Sequence, residues 1–241
     1  MDIGTAKPTK DETKDIKHHL IDFVNPNEEY NVSMYKDKAL EAIQEIINHG
    51  KTPIIVGGTG LYINTLVNGI EFEDIEKDLE YEKELEDLAT QKGNDFLFGM
   101  LEEVDPESAK VIEKNNTRRV IRALEIYKVT GKTKTQIDKD SLKETPYEYL
   151  VYGIDLPRDI LYDRINKRVD IMLEQGLGYK EVIEYLNEQI SYDEMVEKIK
   201  MQSRRYAKRQ ITWFKKTKNI IWLDGSDKEK MIEQITNDYQ K

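Results

Sequence analysis

The chain has 241 residues, of which 38% are hydrophobic and 35% are charged, and its formal net charge is −10. These values are typical of a soluble, helix-rich globular protein of one or two domains. The absence of cysteine excludes disulfides, thiolate metal sites and a cysteine nucleophile. No apolar run approaches the roughly 20 residues that cross a bilayer, so we expect a cytoplasmic protein with no membrane partner.

The distribution of charge bears on the choice of partner. A negative net charge argues against nucleic acid, because phosphate binding needs lysine and arginine. The acidic residues concentrate in residues 71–107, however, whereas basic residues cluster in 114–134 and 201–218. A locally basic face on an acidic protein can still bind RNA.

The first elements predicted along the chain are a short strand and a helix. Residues 17–24 have a strand-like pattern that ends at a turn. Asn31 or Ser33 can then cap a helix, and Gly50 supplies its stop signal.

Residues 53–56 predict a buried parallel strand that runs into the glycine-rich turn of residues 57–60. Ligands of open α/β sheets bind at the carboxyl ends of such strands, and glycines let a substrate approach the backbone. Thr59 is the only residue of the turn with a side-chain hydroxyl. The turn is therefore a candidate site, although a tight strand-to-helix turn without a ligand is the commoner meaning of this motif by itself.

The middle of the chain is predicted to be entirely helical. Residues 74–92 form a highly charged amphipathic run, and Asp105-Pro106 and Thr117 signal the starts of further helices. No strand pattern occurs between residues 71 and 147, so we predict an all-helical insertion that covers residues 73–146.

Strands and helices alternate again after the insertion. Residues 149–156 and 220–225 predict strands, and a capping box at Ser191 to Glu194 starts a long basic helix between them. We therefore predict an α/β core in two parts, residues 1–72 and 147–241, that the helical insertion separates.

Residues 130–133 resemble the end of a phosphate-binding loop. That motif needs a preceding strand and a glycine five residues before Gly131, where this chain has Ile126. Gly131 is therefore interpreted as the stop of the helix before it.

Three arginines lie near the start of the helix that Thr117 caps. Arg118 and Arg122 share a helix face, and Arg119 lies beside them. Positive side chains are unfavourable at a helix N-terminus, where the dipole is already positive. The cluster indicates either an anionic partner or pairing with acids of the preceding helix, and the residues alone leave both open.

Basic and aromatic residues interleave along residues 202–216. Basic side chains suit phosphates, and an aromatic ring can stack on an unpaired base. The alternative for the aromatic residues is the core face of a long helix. The residues concerned are the basic Arg204, Arg205, Lys208 and Arg209 and the aromatic Tyr206, Trp213 and Phe214.

A second arginine pair, Arg164 and Arg168, lies four residues apart on one helix face. A guanidinium can bind a phosphate or diphosphate through two parallel hydrogen bonds. Solvated surface arginines are the alternative interpretation.

Taken together, these stretches resemble the tRNA dimethylallyltransferase family, the bacterial isopentenyl transferases that modify tRNA. The resemblance follows the family's order across nearly the whole chain. The matching stretches are residues 1–8, 18–22, 54–62, 119–125, 178–181 and 207–213.

Members of that family transfer a dimethylallyl group from its diphosphate to N6 of the adenosine just 3′ of the anticodon. The resemblance implies a P-loop nucleotide-kinase-like parallel sheet core with an all-helical insertion. It implies that Thr59 lies in the reaction channel, that Arg168 contacts the diphosphate leaving group, and that Mg²⁺ accompanies the diphosphate. The adenosine must leave its stack to react. Implied contacts to tRNA are Arg118, Arg119, Val120, Ile121, Arg122, Gly178, Tyr179 and Lys180.

The chain also departs from the family pattern. Family members begin with a strand, a P-loop that grips the diphosphate, and an Asp-Ser-Met-Gln-like segment whose aspartate is the proposed general base. Neither the P-loop nor the Asp-Ser-Met-Gln-like segment is found in this chain, so we expect Met1 to correspond to an internal methionine of the family pattern. We also expect the chain alone to be inactive. The loop at Gly176 to Gly178 is shorter, and residues 81–83 lack a tRNA-contacting arginine. The alternative is an inactive tRNA-binding fragment. In either case we expect a monomer.

Overall fold

The computed structural model contains two compact units. The α/β unit is Met1–Asn64 with Tyr147–Lys241, and the helical unit is Thr65–Pro146. The residues that the structure describes are 7–25, 27–73, 75–174 and 180–240.

The predicted division into two core parts, residues 1–72 and 147–241, and a helical insertion, residues 73–146, stays a prediction. In chain order the described residues form α1 Lys10–Thr13, α2 Val32–Asn48, α3 Gly60–Val67, α4 Leu79–Lys92, α5 Asn94–Val104, α6 Pro106–Val111, α7 Thr117–Thr130, α8 Lys134–Asp140, β1 Tyr152–Asp155, α9 Arg158–Glu174, α10 Lys180–Leu186, α11 Tyr192–Phe214, β2 Ile221–Asp224 and α12 Lys228–Tyr239.

Several helix ends follow the local signals in the sequence. The side chain of Asn31 accepts a hydrogen bond from the Met34 N–H and so caps α2, and the predicted capping box at Ser191 starts α11. Gly131 ends α7 with φ of +70°, a left-handed conformation that favours glycine. At the other end of α7 the cap residue is Asn116, one residue before the predicted Thr117.

Within the described ranges the sheet has two parallel strands. Tyr152 pairs with Ile221 and Asp155 with Asp224, so β1 and β2 are in register along their whole length. Parallel neighbours need a crossover connection, which α9, α10 and α11 provide. Leu223 is buried, whereas Ile154 is 63% exposed.

The predicted strand at residues 53–56 is wrong in this structure. These residues form no regular secondary structure, and the side chains of Ile54 and Val56 are 80% and 90% exposed. The strand-like run at residues 17–24 likewise forms no strand. Aliphatic residues favour a strand only where a neighbour supplies hydrogen bonds and a packing face, and no described residue supplies them here.

The helical unit has a closed apolar core. α4, α5 and α7 contribute Leu85, Leu97, Leu101, Val120 and Leu124, none of which is more than 3% exposed. Complete burial of each aliphatic side chain contributes about 1.5–3 kcal/mol relative to an exposed one. This core fixes α5 and α7 against each other.

A buried carboxylate joins α6 to α8. Asp105 caps α6, is 4% exposed, and accepts hydrogen bonds from the N–H and hydroxyl of Ser108 at 3.1 and 2.7 Å. It also accepts from the N–H and hydroxyl of Thr135 at 2.9 and 2.7 Å. Burial raises the pKa of Asp105, but these hydrogen bonds outweigh that effect, and the net pKa is lowered.

In the α/β unit, α9 and α11 pack as an antiparallel pair. The direction follows from two contacts, Asp170 to Lys200 at 2.6 Å and Asn166 to Arg204 at 2.7 Å. Between the helices lies a small apolar cluster of Val169, Met195 and Ile199.

The last helix, α12, lies at the surface. None of its described residues is buried, and the side chain of Ile232 is 55% exposed. The Tyr152 hydroxyl donates to the Asp238 carboxylate at 3.2 Å, and the hydroxyls of Thr52 and Tyr239 are 2.7 Å apart. Polar contacts of this kind hold α12 in place.

Candidate functional site

The glycine turn of residues 57–60 is fixed by side chains of α11. The Gln210 amide donates a hydrogen bond to the carbonyl of Gly58 at 3.0 Å. A Cβ atom at Gly58 would overlap the Gln210 side chain, and one at Gly60 would overlap the Trp213 indole. Both glycines are therefore needed for close packing of α11. Gly57 is different, since a Cβ there would have no atom within 4 Å.

Thr59 lies in the middle of this fixed turn, and its side chain is exposed. Its carbonyl oxygen accepts the N–H groups of Tyr62 and Ile63 at 3.0 and 3.2 Å, which begins α3. The backbone of Thr59 is therefore committed to the helix start, while its hydroxyl is at the surface. This is the geometry expected of a residue that contacts a ligand from a rigid turn.

The basic residues of α11 fall into two groups. Arg204 donates to the Asn166 side chain at 2.7 Å and lies 4.0 Å from Glu197, so it belongs to the packing of α9 on α11. Arg205 and Lys208 are exposed, and within the described residues neither has an ion-pair partner. Arg209 is also exposed and lies one helical turn after Arg205.

The aromatic residues of α11 are likewise divided. Phe214 is half-buried, as the core-face alternative expects, whereas Trp213 lies against Gly60 but is 37% exposed. Tyr206 is 46% exposed, and the Arg209 guanidinium lies 5.7 Å from its ring centroid. Tyr206 is thus the aromatic residue of this stretch that is placed for stacking on an external ring.

Arg164 and Arg168 are exposed on α9, one helical turn apart. Neither forms an ion pair or hydrogen bond with another residue in the part of the chain that the structure describes. Lys167, between them, is paired with Asp163 at 2.8 Å. The two arginines therefore present their guanidinium groups to solvent.

The predicted contacts at Gly178 and Tyr179 lie outside the described residues, as does the side chain of Lys180. Lys180 is the first residue of α10. The predictions for these three residues stay predictions.

The predicted cluster on α7 separates into surface and interior residues. Arg118 and Arg119 are exposed, and neither has an ion-pair partner among the described residues. Val120 and Ile121 are 1% and 4% exposed and belong to the helical core. Their side chains cannot reach an external ligand, so we assign them to packing.

Arg122 is engaged inside the helical unit. Its guanidinium donates to the Glu125 carboxylate at 2.7 Å and to the carbonyl of Ile75 at 3.4 Å. Glu125 is 1% exposed and also accepts the backbone N–H of Asp78 at 2.7 Å. A buried carboxylate needs such partners, so the first role of Arg122 is to neutralise Glu125. Its predicted contact with tRNA stays a prediction.

Sequence reasoning missed two residues of these networks, Gln210 and Glu125. Gln210 gave no local signal, because its hydrogen bond to Gly58 joins distant parts of the chain. Glu125 did carry one. It is an acid among the apolar residues of α7, three residues after an arginine.

Membrane-spanning helices and metal-binding clusters are both absent from the described residues. No helix within the described ranges has the length and apolar composition needed to cross a bilayer. Among the described residues no group of three His, Asp or Glu side chains is arranged to hold a metal ion. The chain has no cysteine to add to such a group.

The structure thus combines an α/β fold and a helical subdomain with a glycine turn held by α11 and with exposed arginines on α7, α9 and α11. The chain matches the family model described as IPP transferase over residues 1–177 and 175–217. A tRNA dimethylallyltransferase of Acetivibrio thermocellus is 46% identical over 98% of this chain and 83% of its own length. One of Bacillus cereus is 43% identical over 97% of this chain and 80% of its own length.

Solved structures agree with these relatives. The tRNA isopentenylpyrophosphate transferase of Bacillus halodurans is 40% identical with a TM-score of 0.68, over 100% of this chain and 82% of that one. A eukaryotic dimethylallyltransferase acting on tRNA is 27% identical with a TM-score of 0.79, over 99% of this chain and 69% of that one.

The chain belongs to the IPP transferase family. This confirms the resemblance drawn from the sequence and the α/β fold class with a helical subdomain. The expectations that the chain is an incomplete form and an inactive fragment find no support in these comparisons, whose relatives are named as transferases.

Proposed function

We propose that this chain is a tRNA dimethylallyltransferase, which moves a dimethylallyl group from dimethylallyl diphosphate to N6 of the adenosine 3′ of the anticodon. The observation that carries the proposal is the alignment of 99% of the chain with a solved dimethylallyltransferase acting on tRNA. The curated relatives, at 46% and 43% identity, have the same activity in their names. We propose further that the enzyme is a cytoplasmic monomer.

The reaction forms a bond between N6 of adenosine and C1 of the dimethylallyl group. The bond between C1 and the diphosphate oxygen breaks, its electron pair leaves with diphosphate, and the proton of N6 passes to solvent water. Negative charge therefore grows on the leaving oxygen. Arg168 is proposed to stabilise this charge, because its guanidinium is exposed and has no partner among the described residues.

Thr59 is proposed to orient the reacting base. Its hydroxyl is at the surface of a turn that Gln210 and Trp213 hold in one conformation. A rigid support of this kind lets one hydrogen bond position a substrate without further ordering of the loop. The adenosine must be flipped out of its stack to reach such a group.

The tRNA backbone is proposed to contact exposed cations on both units. On the helical unit these are Arg118 and Arg119, and on the α/β unit Arg205, Lys208 and Arg209. The contacts predicted at residues 178–180 stay predictions. Arginine and lysine neutralise phosphates and make affinity fall as salt concentration rises. Arg204 is a weaker candidate, because Asn166 already accepts its hydrogen bond.

Magnesium is proposed only as a companion of the diphosphate. The described residues do not form a three-ligand metal cluster, which does not fit a site made by the protein alone. Mg²⁺ commonly bridges substrate phosphates with few protein ligands.

The test is transfer of a radiolabelled dimethylallyl group onto unmodified tRNA in the presence of magnesium. We expect activity in the wild-type chain and a fall of about 10²–10³ in kcat in Arg168→Gln. Lys167→Gln is the matched control, since it removes a neighbouring cation that Asp163 already pairs. Salt-sensitive tRNA binding without transfer by the wild-type chain would refute the proposal and favour a binding protein.

A further inference from the structure

An exposed aromatic ring lies at the end of the helical unit where α5 and α7 begin. The two helix starts are tied together by two contacts. The Thr117 hydroxyl donates to the Asn94 side chain at 3.1 Å, and Lys114 pairs with Asp95 at 2.8 Å. These contacts place Phe96, in the first turn of α5, at the same end of the unit as the first turn of α7.

The ring of Phe96 is not used by the core. It is 43% exposed, whereas Phe98, two residues further along α5, packs against the core. The Lys92 ammonium lies 4.4 Å from the centroid of the Phe96 ring. A cation over an aromatic face is attracted by the electrons of the ring, so Lys92 helps to hold the ring in place.

The charge around Phe96 is positive. The segments 92–96 and 113–119 carry the cations Lys92, Lys114, Arg118 and Arg119 against the acids Asp95 and Glu113. Lys114 already neutralises Asp95. Arg118 and Arg119 have no ion-pair partner within the described ranges, so the end of the unit that holds the ring also has unpaired positive charge.

An exposed ring and unpaired arginines at the same end of the unit fit one kind of partner. An unpaired nucleotide offers a base face to the ring and a phosphate to the guanidinium groups. A paired duplex offers phosphates only, because its bases are stacked on each other. An acidic peptide would satisfy the arginines but would leave the ring without a stacking partner.

We propose that Phe96 stacks on an unpaired base of the tRNA loop while Arg118 and Arg119 bind the phosphates that flank it. This contact rests on the proposed function, since it adds a stacking residue to the tRNA surface. Phe96 acts in binding and takes no part in the chemistry. Stacking tolerates any base, so Phe96 sets the position of the loop rather than its sequence.

The test compares Phe96→Leu and Phe96→Trp with the wild-type chain. Leucine keeps an apolar side chain but removes the aromatic face, and tryptophan keeps an aromatic face. A base stacked on an aromatic ring is worth about 1–3 kcal/mol, so we expect Phe96→Leu to weaken tRNA binding by about 5- to 150-fold. Phe96→Trp should bind as the wild type does. Tyr127→Leu is the matched control, because Tyr127 is 41% exposed at the other end of α7.

Two further readouts separate stacking from a general loss of structure. The slope of log Kd against log salt should stay unchanged in Phe96→Leu and become shallower by about 1 in Arg119→Gln. 2-Aminopurine, placed in turn at each position of the anticodon loop, should change fluorescence at one position with the wild type. That change should be absent with Phe96→Leu.

The outcomes distinguish this contact from the proposed function. A wild-type chain that neither binds tRNA nor transfers the prenyl group overturns the proposed function. A wild-type chain that does both, with Phe96→Leu binding equally well and giving the same fluorescence change, overturns the contact alone. Equal weakening of a fully paired RNA by Phe96→Leu would also overturn it.

Discussion

The helical unit and the α/β unit solve the problem of burial differently. The helical unit builds its core from consecutive helices, and its five central aliphatic side chains are at most 3% exposed. Among its described residues the α/β unit has two short strands, and Ile54, Val56 and Ile154 are more than half exposed. A helix satisfies its own backbone, so a contiguous segment can close a core, whereas a strand depends on partners that are distant in sequence.

The largest expected effect comes from the helical core. Leu101→Ala should lower the free energy of unfolding by about 2–5 kcal/mol, because it leaves a cavity among fully buried neighbours. Ile154→Ala, at a residue that is 63% exposed, should change it by less than about 1 kcal/mol. Urea unfolding followed by circular dichroism measures both. Equal losses would show that the two units are not as different as their burial indicates.

The buried carboxylate Asp105 should make the helical unit sensitive to acid. Its pKa is lowered in the fold, below the value of about 3.9 in an unfolded chain. Its contribution is therefore fully present above that unfolded value and is lost as the pH falls through the folded pKa. Asp105→Asn should cost about 1–3 kcal/mol at pH 7 and much less at pH 2.

Urea titrations of both proteins across this pH range test the assignment. The difference between wild type and Asp105→Asn should shrink as the solution becomes acidic. A difference that is the same at pH 7 and pH 2 would show that the amide disturbs packing and that the carboxylate charge is not involved.

An effect of similar size is expected at the glycine turn of the α/β unit. Gly60→Ala places a methyl group against the Trp213 indole and should cost about 1–3 kcal/mol, with lower prenyl transfer. Gly57→Ala places the same group in open space and should be within about 0.5 kcal/mol of wild type. Thermal unfolding measures both. Trp213→Ala should partly restore stability in the Gly60→Ala background, because it removes the overlap.

The smallest effect on stability separates two neighbouring arginines of α11. Arg204→Gln loses the bond to Asn166 and should cost about 0.5–1.5 kcal/mol. Arg205→Gln should leave stability within about 0.5 kcal/mol but make the salt slope of tRNA binding shallower by about 1. Filter binding at several salt concentrations gives the slope. The reverse assignment would follow if Arg204→Gln altered the slope and Arg205→Gln altered stability.

The sequence predicted the helices better than the strands, for a local reason. Asn31, Ser191 and Gly131 are caps whose partners are three or four residues away, and each functions as predicted. The run at residues 53–56 had strand composition but needed a distant neighbour that composition cannot supply. Helical periodicity is therefore a sufficient signal for its element, and strand composition is not.

The sequence could predict which types of residue form the candidate site, but not which of them are exposed and which are paired inside the fold. Arg118 and Arg122 share a helix and a charge, and sequence spacing treats them alike. The structure separates them, because Arg122 pairs with the buried carboxylate of Glu125, whereas Arg118 is exposed and has no such partner among the described residues. The roles of the glycines at 58 and 60 were equally hidden, since the side chains they accommodate lie about 150 residues further along the chain.

The surface position of α12 has a consequence for hydrogen exchange. A helix without a buried described residue can detach while β1 and β2 stay paired, because little apolar area is lost. Its amides should then exchange through a local opening that urea affects only slightly, whereas those of α7 should exchange only on unfolding of the helical core. The contacts of Tyr152 with Asp238 and of Thr52 with Tyr239 set the free energy of that opening. α12 would thus behave as a separate cooperative unit, the first part of the fold to open and the last to close.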